Sequence, residues 1–214
     1  MNAPLISCIM PTANREKYIP LAVTYFLNQN YQNKELIIID DGKVSVAKLI
    51  PDHPDILYYY TNPIGSIGLK RNFACLKANG SIIVHWDDDD WHSRDWLSAV
   101  AHFLTISQAD ICGLQHVHYY YTIKEKLFTV RRHYQGMPNP MNWVHGATMA
   151  YWKSFWELHP FKDLQKGEDD YFIQNSNAKL YIHDYIDGYI CLLHPHNTIT
   201  REFENHRHKK IKIS

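Results

Sequence analysis

Short apolar runs alternate with amphipathic stretches through the first half of the chain, and each run stops at a polar turn. Leu5–Met10, Glu35–Asp40, Leu57–Tyr60 and Ile82–Trp86 are too short for helices and mostly rich in Ile, Val or Tyr, so they predict strands. Between them, Tyr18–Asn28 and a stretch opening at Gly65 and running to Ala78 predict helices. Ser93–Thr105 predicts a third, with Ser93 as its cap. This alternation predicts an α/β domain whose mostly parallel central sheet is flanked by helices.

After Asp110 the rhythm changes. Ile111–Tyr121 and Lys126–Arg132 read as strands joined by a turn at Thr122–Glu125, and residues 136–140 read as a loop. His145–Tyr151 reads as a strand beginning at a tight glycine. Lys166–Tyr171 starts a helix, and Leu180–His183 and Tyr189–Leu193 are late strands. The whole chain reads as one domain, 1–214, with a first half to residue 90 and a second from residue 91.

Where the runs end carries the chemistry. Ile82–Trp86 stops at four consecutive carboxylates, Asp87 to Asp90, and Leu36–Ile39 stops at Asp40-Asp41-Gly42. A parallel strand ending in acids puts them at the carboxyl edge of a sheet, where open α/β folds bind ligands. Adjacent carboxylates repel one another and are costly to bury without a positive partner. Hard divalent cations take oxygen ligands, and Mg2+ combines one or two protein carboxylates with substrate phosphate oxygens. The acids therefore predict a metal–phosphate site; the alternative is a solvated acidic turn that caps the next helix.

Lys70 and Arg71 open the helix that follows Gly65. Cations there run against the helix dipole, which makes sense if they face a phosphate or a carboxylate cluster; the alternative is a solvated basic turn. The acids of Gly167-Glu-Asp-Asp170 fit ordinary helix capping or a catalytic carboxylate held at a helix start. His194 and His196 flank a proline after the last strand, a weak metal-ligand signal.

Composition narrows the classes. With 214 residues the chain can bury roughly 70% of its unfolded surface in one domain. Net charge is zero with histidines neutral, which removes the simplest case for nucleic acid as a partner. Aromatics reach 14%, suited to sugar stacking and to core filling alike. Cys8, Cys75, Cys112 and Cys191 form no CxxC pair, so they read as buried free thiols of a reducing compartment. No secretory leader opens the chain, and no apolar run reaches the roughly 20 residues of a membrane span. The expectation is a cytosolic protein. Its basic tail, with Arg207, Lys209, Lys210 and Lys212, would be solvated or weakly attracted to the anionic inner face of a membrane.

Taken in order, Pro11-Thr-Ala-Asn-Arg15, Ile38-Ile-Asp-Asp-Gly42, Gly68-Leu-Lys-Arg-Asn72, Asp87–Asp90, Gly167-Glu-Asp-Asp170 and His194-Pro-His-Asn-Thr198 resemble the motifs of a family 2 glycosyltransferase of the GT-A fold, along nearly the whole chain. The resemblance implies an inverting enzyme that moves a sugar from a nucleotide-diphospho-sugar, usually UDP-linked, to a hydroxyl of a glycan or glycolipid acceptor. It implies Mn2+ or Mg2+ as cofactor. Residues 1–90 would bind the nucleotide-sugar and residues 91–214 the acceptor. Asp41 would contact the nucleobase, with Pro11, Thr12 and Arg15 near the nucleoside and Lys70 and Arg71 by the donor. Asp87-Asp88-Asp89 would be the DxD motif, Asp89 the main metal ligand, Asp87 nearer the ribose or donor sugar, and His194 a further ligand or a diphosphate contact. Asp169 would be the catalytic base. Ala13 stands where an aromatic is common, and Asp41-Gly-Lys43 departs from the usual Ser/Thr-x-Asp continuation.

Two other classes share parts of this pattern. A sugar-phosphate nucleotidyltransferase would carry a Gly-rich, Lys-containing loop after its first strand, and Pro11–Arg15 is not one. A non-catalytic nucleotide-sugar-binding protein would keep the Asp87–Asp90 block and tolerate loss of Asp169, which is present.

Overall fold

The structure is a computed structural model and describes residues 3–130, 143–195 and 197. Its main sheet starts from four parallel strands: β1 (Ile6–Thr12), β2 (Lys34–Asp40), β3 (Ile56–Tyr60) and β4 (Ile82–His85). β1 lies between β4 and β2, and β3 follows at the edge. Three strands from the second half continue the sheet past β4: β9 (Ala150–Trp152), β6 (Ile111–Leu114) and β10 (Leu180–His183). β9 is antiparallel to both neighbours.

The central strands are buried on both sides, which is why they read as continuous apolar runs. Alternate residues serve opposite faces. Ile6, Cys8, Met10, Leu36, Ile38 and Val84 join one core with α1 (Ile19–Leu27) and α3 (Trp96–Ser107). Ile9, Ile37, Ile39 and Ile83 join another with α2 (Ile67–Lys77), α4 (Lys153–Leu158) and α5 (Glu168–Asn175). The result is three layers, helices on both faces of one sheet, as the alternation predicts.

A second sheet of four strands stands beside it, in the order β5 (Trp91–His92), β11 (Tyr189–Leu193), β7 (Val117–Tyr121), β8 (Lys126–Val130). The sequence reading takes Ile111–Tyr121 as one strand, but the chain leaves the main sheet after Leu114 and enters the second at Val117. His145–Tyr151 is likewise a 3-10 turn, Gly146–Thr148, before β9 begins.

Ser93 is not the cap of α3. Its hydroxyl donates to Asp95 at 2.9 Å, and the helix starts at Trp96. The cap comes instead from the connection after α1: the carbonyl oxygen of buried Gln29 accepts from Leu97 N at 3.0 Å, and its amide donates to Ser93 O at 2.7 Å. Cysteines form no disulfide, and Cys8, Cys75 and Cys112 are buried, but Cys191 is half-buried rather than buried. The loop at 136–140, His196 and the basic tail lie outside the described residues. No helix among those described is long and apolar enough to cross a membrane.

Candidate active site

β4, β1 and β2 all run the same way, so their carboxyl ends meet along one edge. The acids that end β4 and the polar turn that ends β1 open there into a cleft of about 320 Å³. Pro11, Thr12, Arg15, Lys70, Arg71, Asp87, Asp88, Asp89 and Asp169 all line it. Asp41 lies next door, in a separate depression with Gly42, Lys43, Tyr60 and Asn62.

The four acids after β4 keep alternating. Asp87 and Asp89 remain partly exposed while Asp88 and Asp90 are buried. Asp90 is a structural anchor: Tyr189 Oη donates to one of its oxygens and Leu192 N to the other at 2.9 Å, so it ties β11 to the end of β4. Burial, with Asp89 and Asp87 nearby, pushes its pKa well up. Asp88 accepts from Thr12 Oγ1 at 2.6 Å and lies 2.7 Å from Arg15 Nε; burial outweighs these partners and raises its pKa to about 7. Asp89 Oδ2 receives Arg15 Nη2, the Nε2 of His194 at 2.8 Å and Asn197 Nδ2 at 3.1 Å. Burial pushes Asp89 up, but the His194 bond and Arg15 together leave its pKa lowered. His194 is itself stacked on Tyr18, ring centroids 4.5 Å apart.

The basic residues of α2 meet acids, as their placement suggests. Lys70 Nζ pairs with Asp41 and lies 3.4 Å from Thr12 O. Arg71 is buried between two carboxylates, Nε 3.2 Å from Glu168 and Nη2 3.8 Å from Asp87. Its remaining nitrogen, Nη1, has no hydrogen-bond partner among the described residues. A buried guanidinium nitrogen without an acceptor fits a cleft that takes an anion.

Across the cleft, Gly167 adopts φ 75° and caps α5, which glycine does without strain. Glu168 is turned inward to Arg71, Asp169 stays half-buried on the cleft, and Asp170 accepts from the indole of Trp143. Asp169 packs against the backbone of Gly146: a Cβ there would collide with its carboxylate.

Sequence reasoning passes over three residues here. Glu168 is the partner that lets Arg71 be buried, and its neighbour Asp169 drew the notice. Asn197 stands inside the His194–Thr198 motif yet carries its own bond to Asp89. Gly146 is marked in the sequence only as the tight glycine before a strand, and nothing in the linear pattern ties it to Asp169.

Among the described residues, no three of His, Cys, Asp and Glu gather into a protein-only metal cage. Asp89 and His194 meet as a pair, His194 Nε2 2.8 Å from Asp89 Oδ2. A hard cation held by so few protein groups would complete its shell with diphosphate oxygens and water.

The profile of glycosyl transferase family 2 matches residues 7–174. An uncharacterized glycosyltransferase of Haemophilus influenzae is 36% identical over 109 residues, 49% of this chain and 44% of that one. The putative colanic acid biosynthesis glycosyl transferase WcaA of Escherichia coli is 36% identical over 102 residues, 45% of this chain and 37% of that one. The matches thus span under half the length of these relatives. The Staphylococcus aureus TarS structure solved with UDP-GlcNAc superposes with TM-score 0.72 at 18% identity, covering 91% of this chain and 60% of that chain. The mannosyltransferase PcManGT of Pyrobaculum calidifontis, in complex with GDP-Man and Mn2+, gives 0.66 at 18% identity over 90% and 57%. Sequence match and fold agree: the chain belongs to glycosyl transferase family 2 and has the GT-A fold.

Proposed function

We propose that the protein is an inverting, metal-dependent glycosyltransferase that moves a sugar from a nucleotide-diphospho-sugar, UDP-linked, to a hydroxyl of a glycan or glycolipid. One observation carries the reading: Asp87 and Asp89, the latter bonded to His194, line a single cleft with Asp169, and Arg71 bridges the two sides through Asp87 and Glu168. Binding of UDP-GlcNAc by TarS and of GDP-Man with Mn2+ by PcManGT supports it by analogy of fold.

In this reading residues 1–90 hold the donor and residues 91–214 shape the acceptor side. Asp41, held by Lys70, faces the nucleobase; Pro11, Thr12 and Arg15 line the nucleoside; Arg71 sits by the diphosphate. Asp89 and His194 would hold Mn2+ or Mg2+, which when bound neutralises charge growing on the leaving diphosphate, with Asp87 nearer the ribose or donor sugar. Asp88 orients Arg15 through the 2.7 Å ion pair. Asp169 takes the proton of the acceptor hydroxyl as its oxygen attacks the anomeric carbon from the face opposite the leaving group. A positioned base of this kind contributes about 10²–10⁴-fold.

Thermal unfolding with UDP, GDP, CDP and ADP, each with and without Mn2+, tests the donor site. UDP should raise the midpoint with Mn2+ and little without it. No shift from any nucleotide with metal would remove the donor assignment. Asp169→Asn should keep the UDP shift and lose transfer by at least about 10²-fold; transfer near the parent rate would remove Asp169 as base.

A further inference from the structure

His85 ends β4 two residues before Asp87 and is fully buried. An apolar side chain would serve a core position on a central strand, and a buried imidazole is costly unless its nitrogens are bonded. Both are. Nδ1 lies 2.7 Å from the carbonyl oxygen of Gly146, and Nε2 lies 3.3 Å from the hydroxyl of Tyr151. A carbonyl can only accept, so Nδ1 carries the proton. In the neutral ring Nε2 then accepts from Tyr151. The Tyr151 oxygen, 3.5 Å from Cys75 Sγ, is left to accept from that thiol. The hydrogens therefore run one way, from Cys75 to Tyr151 to His85 to Gly146.

The chain ends under the proposed base. The Gly146 backbone packs against the Asp169 carboxylate so closely that a Cβ would collide with it. Gly146 O has one other donor, Met149 N at 3.3 Å, a longer bond than the one from His85. The geometry points to His85 as a positioning residue for Asp169: by holding the Gly146 carbonyl, it fixes the backbone wall on which that carboxylate rests. The inference depends on Asp169 being the base. A reacting group displaced by about 1 Å can cost about 10²-fold in rate, so a wall that shifts by less has a measurable effect.

The test compares His85→Leu, which removes the donor, with His85→Asn, whose amide can still reach Gly146 O. Nucleotide release from UDP-GlcNAc with Mn2+ is the first readout. His85→Leu should lower kcat about 10-fold or more with KM for UDP-GlcNAc little changed, and His85→Asn should recover most of it. In the Asp169→Asn background, His85→Leu should add almost nothing, because both changes act on one group. A full loss persisting there, or Leu and Asn variants equally impaired, overturns the positioning role. Full activity of Asp169→Asn alone is a different result, and sinks the base assignment. Should His85→Leu fail to fold, Tyr151→Phe replaces it, since it removes the hydroxyl that donates to Nε2; an unchanged kcat overturns the inference. The second readout needs no turnover. The Asp169 carboxyl carbon resonance should move in His85→Leu and return in His85→Asn, and a resonance that stays put in both overturns the inference.

Discussion

Asp87 and Asp90 are three residues apart and chemically identical, yet their surroundings give them different work. The Asp87 side chain is 31% exposed on the cleft, with Arg71 as its nearest cation. Asp90 is buried and accepts from Tyr189 and Leu192. Asp90→Leu leaves both donors buried without an acceptor, so urea unfolding should show a loss of about 2–4 kcal/mol. Asp87→Asn should change the same measurement by less than about 1 kcal/mol while reducing the UDP-dependent thermal shift. Equal losses would mean the alternation along the block has no functional meaning. The sequence displays four acids in a row and gives no register. The register appears once the strand's alternation is followed past its last ladder bond, because odd positions then stay partly exposed and even ones are buried.

At the level of elements, β5 and α3 are joined by an aromatic stack with a histidine inside it. His92 lies on Trp86, centroids 3.9 Å apart and planes within 12°, and its edge meets Trp96. Neither ring nitrogen has a hydrogen-bond partner among the described residues. Burial drives its pKa down to about 3. The folded ring stays neutral, whereas the unfolded one takes a proton below about pH 6.5. Its contribution to stability is therefore full above that pH and is lost as pH falls toward 3. His92→Phe removes the proton uptake. The difference in unfolding free energy between variant and parent should move in favour of the variant by about 1–2 kcal/mol between pH 7.5 and pH 5. A difference that stays constant with pH would mean the ring is protonated or solvated in the fold. The same element scale explains the misplaced start of α3. Ser93 has the composition of a cap, but Gln29, distant in sequence, already satisfies Leu97 N.

For the whole molecule, what was legible follows from what is local. β1 to β4, α1 and α2 each announce themselves by a run of apolar residues with the right period, and parallel pairing follows from their alternation. The β7–β8 hairpin and β11 were legible as strands, but their assembly with β5 into a separate second sheet was not. β5 is two residues long, and β11 pairs with β7 across a long stretch of chain. β6 and β7 are separated by Gln115 and His116, with no Gly or Pro to mark the change of sheet. Those pairings are decided by packing in space. The site was legible as residue types, since Lys70 and Arg71 do face acids, but not as partners: Glu168 as the mate of Arg71 and Gly146 as the rest for Asp169 come only from the fold.

The uneven burial of the thiols has a practical side. Alkylation requires thiolate and access. Cys75 and Cys112 are buried with pKa pushed up to about 12 by desolvation, and Cys8 is likewise pushed well up by burial. Cys191, half-buried on β11, opens onto the cleft. Native protein should take up one equivalent of maleimide, all four cysteines should react in urea, and mass spectrometry of the peptides should find the native label on Cys191. More than one native label would mean the core around the other three is looser than described. A single label there needs no engineered cysteine, and a fluorophore carried on it would turn the wild-type chain into its own sensor of cleft occupancy.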